Sequence, residues 1–127
     1  MRIKTYLNEG PGMFWKYQPG DKLVAGPDLD LTGRIDVAGL TGQQVEEAIA
    51  EAVFAIGNRM GTDVNGKAWP RNVRSISVGD VVVIGESAWA CESIGFKQIE
   101  RFALDVSLSE YAKPNERLAE HRLAAGR

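Results

Sequence analysis

Asp28-Leu-Asp-Leu-Thr32 is the string in this chain most suggestive of chemistry. Two aspartates and a threonine at this spacing can present a nucleophilic carboxylate to a phosphoryl group beside magnesium. Such a nucleophile has to stand at the carboxyl end of a buried apolar strand. Here Gly26-Pro27 comes first, and proline and glycine belong at strand edges and bends. The same stretch is also a partial calcium loop. Asp28, Asp30, Thr32, Gly33, Ile35 and Asp36 take its first, third, fifth, sixth, eighth and ninth positions, but the twelfth, which should bring a bidentate carboxylate, is Gly39. A weak calcium candidate at Asp28, Asp30, Thr32 and Asp36 is all that remains, and no metal is expected.

Nucleophilic catalysis has less to work with. Cys91 is the only cysteine and His121 the only histidine, so neither an intrachain disulfide nor a Cys/His zinc site can be built. Cys91 falls on a strand between Ala90 and Glu92, where a packed, inert thiol is expected. His121 sits among Glu120 and Arg122 and reads as solvated. No phosphate-cradling P-loop or dinucleotide fingerprint is present. The sequence therefore names no catalytic residue and no cofactor. A small metal-dependent hydrolase, its acids converging only in the fold, is retained as an alternative.

Nucleic-acid binding has one foothold. Between residues 58 and 74, Arg59, Lys67, Arg71 and Arg74 stand against Asp63, and Trp69 lies among them. An aromatic beside cations is what a single-strand platform uses for stacking and phosphate contact. Residues 28 to 51 carry the opposite sign, with Asp28, Asp30, Asp36, Glu46, Glu47 and Glu51 against Arg34. That polarity could also hold the loop against its own domain or dock a partner protein. The whole-chain charge of −2 gives no general pull towards nucleic acid or acidic lipid.

These residues need a scaffold, and the composition provides for one. With 127 residues, 44% of them hydrophobic and 25% charged, a single domain with an unstapled core is expected. Arg2 to Leu7 alternates as a half-buried strand, and turns follow at residues 8–12 and at Pro19-Gly20-Asp21. Met13, Phe14, Trp15 and Tyr17 between them read as a covering segment or short strand. In residues 28–37, a three-residue turn over Thr32 to Arg34 would put Leu29, Leu31, Ile35 and Val37 on one face of a hairpin. Thr41 and Gln44 form a capping box ahead of Val45, Ala48, Ile49, Ala52, Val53 and Ile56. That spacing predicts a helix over residues 43–56, stopped at Gly57-Asn58. Met60 to Arg74 reads as a long loop.

Val81 to Ile84 and Ala88 to Cys91 flank Gly85-Glu86, which suits a type II′ hairpin. Ser93 to Gly95 permits a further reversal. Alternation from Phe102 to Leu108 predicts another strand, and Pro114 opens a thin C-terminal helix over residues 114–124. The expected architecture is α+β, a mainly antiparallel curved sheet packed against one amphipathic helix, with a second, loosely packed helix at the C-terminus. There is no signal core and no apolar run long enough for a bilayer, so a bacterial cytoplasm and no membrane partner are expected.

Arg74-Ser-Ile-Ser-Val-Gly-Asp-Val-Val-Val83, with Ser93-Ile-Gly-Phe96 and the helix end Phe54 to Asn58, resembles the YodL-like domains. These small domains occur in bacterial plasmids, conjugative elements and phages. The likeness runs from about residue 51 to 102, within a core of about 41–108. It implies an accessory protein of a mobile element that binds a host or element protein, and it brings no catalytic residues. Physically, Val78-Gly79-Asp80 can turn the chain into a buried strand. The loop residues Arg59, Lys67, Trp69, Arg71 and Arg74 are the expected binding surface, for a protein partner first and a nucleic acid second.

Overall fold

A computed structural model describes residues 2–101 together with Leu104 and Asp105. It contains strands β1 (Arg2–Asn8), β2 (Leu23–Ala25) and β3 (Leu29–Asp30), helix α1 (Gly42–Gly57), and strands β4 (Val81–Ile84), β5 (Ser87–Cys91) and β6 (Phe96–Ile99). All strand pairs are antiparallel, in the order β2-β1-β4-β5-β6. β3 continues the β2 edge, pairing Leu29 with Ile3 lower on β1. The step between the two edge strands falls at Gly26-Pro27, where Gly26 N–H reaches the Thr5 carbonyl and the Thr5 hydroxyl reaches that of Pro27. The architecture is α+β, as the sequence predicts: among the described residues, one open antiparallel sheet packed against the helix α1.

Both faces of the sheet are covered. β1 turns Ile3 and Leu7 towards α1, joined by Val82, Ile84 and Trp89, against Ile49, Ala50, Val53 and Ile56. The other face holds Val81, Val83, Ala88 and Ala90 under Leu23, Tyr17 and Leu104. The unbroken Val81-Val-Val-Ile84 run is what a strand buried on both sides requires. Trp89 is pinned to the helix through its indole N–H, which donates to Glu46 Oε1 at 3.0 Å. Ala50, which the helical spacing leaves off the stripe, is fully buried and widens the packed face.

α1 begins with the predicted box. Gln44 N–H donates to the Thr41 hydroxyl and Gln44 Oε1 accepts from Thr41 N–H. Its end is a Schellman motif, with Met60 N–H on the Ala55 carbonyl, Arg59 N–H on that of Ile56, and Arg59 in the left-handed region at φ +68°. The stop thus lies at Gly57-Asn58, as the sequence predicts, with Asn58 as the cap. Gly57 is helical, and its lack of a side chain lets Ile76 pack there, since a Cβ would stand 2.4 Å from Ile76 Cδ1.

The β4–β5 hairpin closes through Gly85-Glu86, with Ile84 opposite Ser87 and a positive φ at Gly85 alone, the type II′ pattern. Ser93 to Gly95 then reverses the chain, pairing Cys91 with Phe96. Three expectations are corrected. Residues 28–37 form no hairpin: β3 pairs with β1, residues 32–34 turn, and Val37 is exposed. Residues 11–15 form turns, not a strand, and of the expected covering aromatics only Tyr17 is buried against the sheet. At the position of the predicted strand over 102–108, the described Leu104 donates its N–H to the Glu100 carbonyl and Arg101 pairs with Asp105, which is helical spacing. The C-terminal helix expected over 114–124 and His121 lie outside the described residues.

Candidate functional site

The basic loop is built inward. Trp69 is 3% exposed, packs in the helix-side core and donates its indole N–H to the Arg74 carbonyl at 2.8 Å. It therefore offers no face for a base to stack on, which corrects the reading of this residue as a platform. Arg59 spends its guanidinium on the carbonyls of Trp69, Pro70 and Val73. Lys67 Nζ donates to the Asp28 carbonyl at 2.7 Å. Asp63 holds the near end of the loop: its carboxylate accepts from the N–H groups of Asp30, Asn65 and Lys67. Those bonds, that from Asp30 foremost, hold its pKa below the usual 3.8. Of the five expected binding residues, only the exposed Arg71 has no described partner.

The acidic string is a turn. Asp30 Oδ1 accepts from both the hydroxyl and the N–H of Thr32, which keeps its carboxyl well below the usual range. Asp36 Oδ1 accepts from Ala38 N–H in a similar local loop. Among the described residues, no three acidic, Cys or His side chains are grouped to hold a metal ion. Cys91 is 3% exposed. Burial, followed by the charges of Asp80, Glu51 and Glu92, pushes its thiol up to about 12.

Arg74 leads instead to a buried polar knot. Its guanidinium grips Asp80 with two bonds of 2.8 Å and donates also to the Asn8 carbonyl. Asp80, 1% exposed, accepts further from the N–H groups of Asn8 and Ser77. The Asn8 side chain spans the interior from the Gly79 carbonyl to Asp21 and receives Gly10 N–H. Asp21 in turn gathers the N–H groups of Gly12 and Gln18. The Arg-Ser-Ile-Ser-Val-Gly-Asp block is thus the structural half of this knot. Gly79 has to be glycine: φ is +96°, and a Cβ would stand 2.4 Å from the Gly12 carbonyl oxygen.

The knot supports the turn that carries Met13, Phe14 and Trp15. Phe14 N–H donates to the Val78 carbonyl, while Trp15 and Lys16 bond back to Gly12. Phe14 holds φ +65°, a left-handed conformation that costs a bulky side chain roughly 1–2 kcal/mol. The Arg74 guanidinium lies 5.1 Å from the centre of the Phe14 ring. Even so, Phe14 and Trp15 are 59% and 69% exposed, with Met13 beside them and Ile94 also exposed at the β5–β6 turn. A local strain imposed from elsewhere in the fold keeps aromatic rings in water. That is the feature of a site more than of a core.

Sequence reasoning named these aromatics but turned them inward. The turn read at residues 8–12 runs on through them, and Gly10-Pro-Gly12 makes such a turn tip more natural than a covering strand. No helix among the described residues is long and apolar enough to cross a membrane. No family model, curated protein or solved structure matches the chain.

Proposed function

We propose that the protein is a binding module that docks a protein partner through the aromatic turn Met13-Phe14-Trp15, as an accessory protein of a phage or plasmid in a bacterial host. The observation that carries the reading is Phe14, held at φ +65° and 59% exposed over the pair of the half-buried Arg74 with the buried Asp80. Binding hot spots favour Trp and other large aromatics, and a surface already fixed in shape loses little entropy on docking. The mobile-element part of the reading rests on the likeness of residues 51–102 to the YodL-like domains. A single-strand nucleic-acid platform lacks its stacking residue once Trp69 is buried. A metal-dependent hydrolase has no convergent acids in its favour among the described residues.

Affinity capture from bacterial lysate tests the proposal, run side by side with the wild type, a Phe14→Ala/Trp15→Ala variant and an Arg71→Ala control. The expected result is a discrete captured protein that the aromatic variant loses and the control keeps. Capture indifferent to Phe14 and Trp15, in a variant with native circular dichroism, overturns it.

A further inference from the structure

The aromatic turn forms one wall of a groove. Its hollows run from Trp15 and Phe14, over Val78 and Glu92, to Phe54 and Phe96 at the far side. The Phe14 end encloses about 450 Å³. The opposite wall is firm, since Phe54 and Phe96 meet edge to face at 6.1 Å. Two carboxylates line this aromatic channel, Glu92 along its length and Glu51 beside Phe54. Neither makes a hydrogen bond or ion pair with a described residue.

We propose that this groove takes an extended segment of a partner protein that sets an arginine or lysine side chain against Glu92 and Glu51, between Phe14 and Phe54. The inference deepens the proposed function and rests on it. Two features favour a cation. The carboxylates are unspent, whereas Asp80 below them is already neutralised by Arg74. Aromatic faces add a further attraction for a guanidinium or ammonium group. Lys16, the one cation lining these hollows, stands at the Trp15 end and leaves the Glu92–Glu51 stretch to the ligand. An extended chain suits a shallow aromatic channel better than a helix, which needs a broader apolar trough.

Short random peptides displayed on phage, selected on the immobilised full chain, test this. Parallel selections use Glu51→Gln/Glu92→Gln and Phe14→Ala/Trp15→Ala variants, each first checked for native circular dichroism and cooperative unfolding. The wild type should enrich peptides with an arginine or lysine flanked by apolar residues or proline. A synthetic peptide from that set should bind the double-Gln variant about ten-fold more weakly or worse, and should weaken with salt. Enriched peptides without a basic residue, bound equally by the double-Gln variant but lost with Phe14 and Trp15, overturn the cationic ligand and leave the aromatic turn as a docking surface. A self-associating chain whose dimer breaks on Phe14→Ala/Trp15→Ala, with no basic peptide selected, makes a second copy the occupant and overturns it too. Binders indifferent to both variants, or no enrichment at all, defeat this inference and the proposed function together.

Discussion

Asp80 and Arg74 show how a surface-looking motif becomes interior chemistry. A bidentate pair with one partner 1% exposed is costly to break, because the survivor is left charged without a counterpart. Asp80→Asn should lose about 3–5 kcal/mol of stability in urea unfolding, and a loss below about 1 kcal/mol would show that the knot is dispensable. Phe14 can be tested by comparing two small replacements. Both remove the ring, but only glycine relaxes at φ +65°, so Phe14→Gly should be more stable than Phe14→Ala by about 1 kcal/mol. Equal melting temperatures would mean the backbone there is not strained. Cys91 should resist alkylation at neutral pH in the folded protein and react promptly once unfolded, since its thiol is pushed up to about 12. Rapid labelling of the native chain would contradict that burial.

Elements that carry their own local signal were legible, and those made by distant pairing were not. Thr41, Gln44 and the stripe from Val45 to Ile56 announce α1, while Gly85-Glu86 between apolar arms announces its hairpin. β2 and β3 span only a few residues each and exist because β1 offers them an edge. No alternation over so short a length could reveal them. The basic loop misled for another reason: Arg59 answers carbonyls of the loop itself and Lys67 the carbonyl of Asp28, pairings that composition does not record. The Phe14 turn is set by Val78 and Arg74, both some sixty residues distant in sequence. Asp63 gives the loop a pH signature. Its folded pKa is depressed, so the native state holds fewer protons than the unfolded chain on the acid side. Its stabilisation is complete above the ordinary 3.8 and is lost as pH falls through the lowered value. Asp63→Asn should therefore be less stable than wild type near pH 6, with the gap closing below about pH 4. A gap independent of pH would remove this assignment.

Taken whole, the molecule is an open sheet with apolar packing on both faces, α1 over one and Tyr17 with Leu104 on the other. Among the described residues the interior is spent on packing, on the Arg74–Asp80–Asn8–Asp21 knot and on the buried Asp63, and the exposed aromatics gather at the end of the sheet where β4 starts and β5 ends. The opposite end, at the Gly85-Glu86 turn, offers an exposed Glu86 and, among the described residues, nothing comparable in aromatic surface. This asymmetry sets the most direct measurement. A photo-crosslinking phenylalanine analogue replaces Trp15 in the chain expressed in bacterial cells, with the same analogue at Glu86 as control. Position 15 should yield a discrete covalent adduct with another protein, and position 86 should yield none. No adduct from position 15, or the same adducts from both positions, would contradict the aromatic turn as the docking surface.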